Sequence, residues 1–166
     1  MDVRALRQAH EDFLEVAKAG GFGPPPPGEW DAERLLAHVA AADAAIASAA
    51  LAVAAGQRPG YDNRPSLDEW NLRRIVAEAG GADGAEGADG ANGLDGLIAL
   101  VRERGRLLCE VAGALSESAA AVRINVLIIS NDELIVDEPW PLADLITGVG
   151  TIHLPRHARQ LAGLRS

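Results

Sequence analysis

The residues in this chain best placed to do chemistry are histidines. Near the C-terminus the sequence reads His153-Leu154-Pro155-Arg156-His157. On a helix, residues four apart have neighbouring side chains, roughly 5–6 Å between Cβ atoms. Two imidazoles so spaced can share one divalent ion, by the same mechanics as the histidine pair of an H-E-x-x-H helix. A third ligand must come from another segment. His38 is the candidate, because it stands beside Leu35 and Val39 on the apolar seam of an alanine-rich helix. Spacing alone leaves the blander reading open, a pair of solvated imidazoles on a helix surface. Pro155 weighs against the clamp, since proline removes one helical hydrogen bond and crowds the carbonyl four residues back. A helix that started at Pro155 would send the two side chains apart; one that bent there and continued would keep them together. His10 has no partner in view and reads as a surface or capping imidazole.

An ion held by three side chains keeps open positions, as catalytic sites do. A bound water would be acidified and serve hydrolysis. A bound thiol would lose its proton and become a nucleophile for transfer or isomerisation. A third reading is a non-catalytic metal-binding or stress-response bundle whose triad is vestigial. Routes without a metal find little support: there is no G-x-S-x-G elbow, no P-loop, and no G-x-G-x-x-G placed between a strand and a helix. Cys109 lies beside an apolar helical stripe and reads as a packing thiol rather than a nucleophile. Arg156 and Arg159 read as surface residues, or in the sharper alternative as cations that hold an anionic thiol or acid. Trp30 and Trp70 read as packing residues at helix starts, with a pocket wall as the alternative.

The elements that must position these side chains follow from periodicity and punctuation. Residues 2–19 form a first helix ended by Gly20-Gly21. "GFGPPPPGEW" is an extended connector. Asp31 caps a long helix to about Gly56, along which Leu35, Val39, Ala42, Ile46, Ala49 and Val53 make a lengthwise packing seam. "QRPGYDNRP" reads as a loop, and Ser66 with Glu69 as a capping box opening a helix through Ala79. Residues 80–93 read as a flexible Gly/Ala/Asp linker rather than a calcium loop. A helix over 94–115 follows, then a β-hairpin over 122–137 turning at Asn131-Asp132, then a last helix over 142–164. The expectation is a single all-α domain over 1–166, an antiparallel four-helix bundle with the hairpin inserted before the last helix.

"GEWDAERLLAHVAAAD" resembles the signature of the DinB-like superfamily, which includes the mycothiol-dependent maleylpyruvate isomerase N-terminal domains. Trp30, Asp31, Leu35, Leu36 and His38 occupy the places of that pattern. "HLPRHARQL" is similar to the family's C-terminal pair, with His153, His157, Gln160 and Leu161, and "DEWN" matches weakly. The resemblance spans most of the chain; Gly81–Gly93 and the hairpin lie outside it, and Pro155 departs from it. It implies a zinc or nickel ion on His38, His153 and His157. It also implies a low-molecular-weight thiol such as mycothiol as co-substrate, and frequent dimers.

Composition sets the surroundings. The chain has 166 residues with 24 Asp+Glu against 15 Lys+Arg, a net charge of −9. An acidic surface without a basic stripe points away from nucleic acid and toward a small-molecule substrate. The single cysteine suits a reducing cytoplasm. "HVAAADAAIASAALAVAAG" is apolar mainly through alanine and contains Asp43, so a packed helix is expected rather than a membrane span. The hairpin's two apolar faces need covering, and a homodimer is expected to cover one of them.

Overall fold

The computed structural model describes residues 1–80 and 91–165. Helix α1 (Arg4–Lys18) buries Leu6, Ala9, His10, Phe13, Leu14 and Ala17 along one stripe. Gly20 and Gly21 stop it, both at positive φ. Helix α2 (Ala32–Ala54) is capped by Asp31, whose carboxylate accepts the Arg34 N–H at 2.8 Å. By length and composition α2 is apolar enough to cross a membrane. Here it is the central helix, packed against α3 (Glu69–Ala79), α4 (Ala91–Ala114) and the C-terminal helix. Its fully enclosed Leu35, Leu36 and Val39 join Phe13, Leu72, Leu97 and Leu108 in one core. Each such side chain contributes about 1.5–3 kcal/mol by leaving water.

The chain is mostly helical, and the expected hairpin is joined by a third strand into a three-stranded mixed sheet. Within the segment read as a loop, β1 (Gly60–Asp62) pairs in parallel with β2 (Arg123–Ser130). Strand β2 pairs antiparallel with β3 (Glu133–Pro141), so the hairpin is longer than 122–137. Asn131 and Asp132 make its turn at φ 51° and 61°, as their tolerance of left-handed backbone led one to expect. Ile124 and Val126 seal one face of the sheet against the helices.

Three boundaries also change. Asp68, not Ser66, caps α3, accepting the Asn71 N–H at 2.9 Å. Ser66 closes a short 3₁₀ turn (Arg64–Ser66) and donates its hydroxyl to the Asn63 carbonyl at 2.7 Å. Helix α4 begins at Ala91, so 91–93 are not linker; the rest of that expected linker, after Gly80, lies outside the described residues. A single turn, α5 (Glu117–Ala120), capped by Ser116, precedes the sheet.

After β3 the chain runs through α6 (Leu142–Gly148), a π turn (Val149–His153) and α7 (Leu154–Gly163) without leaving helical dihedrals. The expected bend at Pro155 is therefore taken up one turn earlier and in a different form. Proline has no N–H for the carbonyl four residues back. The π turn answers by widening the helix: the Leu154 N–H bonds to Val149 O, five residues back. Gly150 makes the wider turn fit beside α1, since a Cβ there would lie 2.9 Å from the Leu6 Cα.

Candidate metal centre

Each histidine is delivered by a different piece of this architecture. His38 comes from the buried side of α2, His153 ends the π turn, and His157 follows one turn into α7. Because the helix continues through Pro155, the pair stays on one face. Their rings are 4.6 Å apart between centroids, and His38 lies 5.1 Å from His153 and 4.8 Å from His157. The three potential ligand nitrogens all lie within 4.8 Å of one another. His38 Nε2 and His153 Nε2 are 3.0 Å apart. Two nitrogens sharing one ion at about 2 Å each stand about 3 Å apart, so this pair already has a ligand-pair separation.

Hydrogen bonds on the far side of two rings fix which nitrogen faces inward. His38 Nδ1 is 2.7 Å from the Ser66 carbonyl, which only accepts, so Nδ1–H donates and Nε2 keeps its lone pair. His157 Nδ1 donates to Gln160 Oε1 at 3.0 Å, with the same result. His153 Nδ1 is enclosed with no partner. Burial lowers the pKa of all three and the Arg156 cation adds to it, as do neighbouring histidines for His153 and His157. His157 is brought down to about 4 and His153 well below its ordinary value. Neutral imidazoles are what a metal requires.

The sheet is part of this site. Asn63 extends β1 with its side chain, accepting the Ile129 N–H and donating to the Ile129 carbonyl, both at 2.8 Å. That clamps the Arg64–Ser66 turn and so aims the carbonyl that holds His38. Nothing in "YDNRPS" announces this role, because the partner strand lies more than sixty residues away.

Trp30 packs against the core, as expected, and also meets the His38 ring edge-on at 5.2 Å. Trp70 is 72 % exposed and neither packs in the core nor lines the site, which overturns both readings for it. Arg156 is exposed, bonds Ser130 Oγ at 3.3 Å, and its charge reaches all three histidines; Arg159 is exposed. Arg34, which sequence reasoning passed over, lies 4.8 Å above the Trp30 ring.

His10 is corrected outright. It is buried, with Nε2 2.8 Å from Asp43 Oδ2 and Nδ1 3.0 Å from the Leu6 carbonyl. Burial opposes its charge, but the Asp43 carboxyl outweighs burial and raises its pKa. Gly105 makes the room, for a Cβ there would lie 2.4 Å from the imidazole. The available signal was Asp43 itself, a charge in an apolar helix that had to find a partner. Cys109 is buried and free, as expected. Its thiol lies against the His10 ring and, with Asp43, helps to raise the His10 pKa.

No protein-family model, no curated protein and no solved structure matches this chain.

Proposed function

We propose that the chain is a divalent-metal-dependent enzyme of the DinB-like superfamily, its long helices forming that family's antiparallel four-helix bundle. In this reading His38, His153 and His157 hold zinc or nickel. A low-molecular-weight thiol such as mycothiol is the co-substrate for S-transfer or isomerisation of a small molecule, in a cytoplasmic homodimer. The observation that carries the reading is the convergence of three neutral imidazoles from distant segments, two of them anchored through Nδ1. An ion bound there would acidify a coordinated thiol or water.

The chain's own residues do the rest. Ser66 O and Gln160 Oε1 hold two rings so that little reorientation accompanies binding. Trp30 walls the His38 side and limits water. Arg156 at the rim favours a ligand that carries negative charge. Among the described residues no carboxylate joins the three histidines.

The test is elemental analysis of tag-free protein equilibrated with zinc or nickel, followed by turnover assays with and without mycothiol. One ion per chain and thiol-dependent turnover are expected, and turnover without thiol would move the reading to a hydrolase. Replacing His38, His153 or His157 by alanine should each lower metal affinity at least tenfold. His10→Ala should keep the metal but lower stability by about 3–5 kcal/mol, because it strands Asp43. Equal metal affinity in all four variants would sink the site.

A further inference from the structure

Arg34 is poorly explained by the fold alone. Arg4, Arg64, Arg73, Arg74 and Arg106 each pair with a nearby carboxylate on the surface. Arg34 makes no ion pair among the described residues, and its Nε is shut away from solvent with no hydrogen-bond partner. A buried orphan donor costs about 1–3 kcal/mol, more when charged, so its retention calls for a reason. Its placement supplies one. Arg34 precedes His38 by one helical turn on α2, so the two side chains share a face. Its guanidinium lies 4.8 Å over the Trp30 indole, and the same indole meets the His38 ring at 5.2 Å. Stacking on an aromatic face holds the planar fork in one orientation while leaving its two terminal nitrogens, Nη1 and Nη2, to bind.

We propose that Arg34, laid on Trp30, is the anion-binding arm of the histidine site and selects ligands that carry a carboxylate. Bidentate pairing with a carboxylate is the match its fork geometry offers. The rest of the molecule points the same way, since a chain of net charge −9 would repel an anion unless cations gathered where it binds. Arg156, tethered to Ser130, contributes a second cation near the triad. The ligand class is thus a small molecule with a metal-seeking head and a carboxylate.

This inference rests on the metal reading above, and the experiment separates the two. Cobalt(II) is loaded in place of the native ion, and its visible and near-ultraviolet bands report both metal occupancy and sulfur binding. Two probes are titrated, 3-mercaptopropionate and 3-mercaptopropan-1-ol, which share the sulfur and differ in the carboxylate. The wild type should bind the carboxylate probe at least tenfold more tightly. Arg34→Gln should lose that preference by weakening the carboxylate probe alone, and Arg34→Lys should recover only part of it. A cobalt spectrum with no preference between probes, or a preference that survives in Arg34→Gln, overturns the arm. No cobalt spectrum in the folded wild type overturns the metal reading and the arm with it.

Discussion

A buried imidazole that has no acid partner resists protonation, and three of them together make the metal-free protein sensitive to acid. In the unfolded chain the histidines titrate near 6.5. In the fold burial holds all three lower, His157 at about 4. Between those values the unfolded state binds protons that the native state refuses, so stability falls as pH drops through that window. A displacement from 6.5 to about 4 is worth on the order of 3 kcal/mol for His157 alone. His10 works in the opposite direction. Its pKa is raised by Asp43, so its contribution is present below 6.5 and is lost on the alkaline side. The acid limb therefore belongs to the triad. Urea titrations of metal-free protein should show stability falling from about pH 6.5 toward 4, with a shallower fall in His157→Ala, and falling also above about 7 as the His10 contribution is lost. A profile flat to pH 4 would mean that the rings are not held neutral.

At the scale of elements, the site depends on two features that each correct an irregularity. The π turn absorbs a proline that would otherwise break the helix between His153 and its support in α6. The β1–Asn63–Ser66 segment converts sheet pairing into the orientation of one imidazole. Asn63→Ala removes both bonds to Ile129 and frees the turn that carries the Ser66 carbonyl. Metal affinity should then fall about 10–100-fold, the range for losing a group that orients a ligand. Asn63→Asp, which keeps the acceptor but not the donor, should fall between; isothermal titration with zinc measures both. An unchanged affinity in Asn63→Ala would show that His38 needs no such support. The sequence disclosed the parts whose causes are local. The α2 seam, the glycine stop after α1 and the Asn131-Asp132 turn were legible from spacing; spacing only nominated the three histidines, and the resemblance joined them into one set. The sequence did not disclose β1, the His10–Asp43 pair or the job of Ser66, because each depends on a partner far away in the chain. Pro155 was an intermediate case: the sequence showed that the helix had a problem, and only the packing of Gly150 on Leu6 showed how it was solved.

At the scale of the whole molecule, the remaining question is what covers the outer side of the sheet. Ile124 and Val126 face the helices, but Leu127 and Ile129 on the other face are only half-buried, and Leu134 and Ile135 beyond them are 59 % and 57 % exposed. The edge of β3 is guarded unevenly. Asp137, Glu138, Pro139 and Pro141 protect its second half with charge and with residues that cannot donate to a ladder. Its first half is guarded less, by Glu133 and by the bulge opposite Ile128 and Ile129, and residues 134–136 carry neither charge nor proline. An apolar face beside a half-guarded edge suits a second copy of the same surface related by a two-fold axis. We therefore expect a homodimer joined through the hairpin, seen by light scattering at micromolar concentration. Leu134→Lys/Ile135→Lys should shift it to monomer with the helical signal intact, since neither side chain belongs to the core. The three histidines proposed to hold the metal all come from one chain, so the monomeric variant should still bind one ion. A wild type that is already monomeric, or a variant that stays dimeric, would place the contact elsewhere and leave the hairpin's apolar face to another partner.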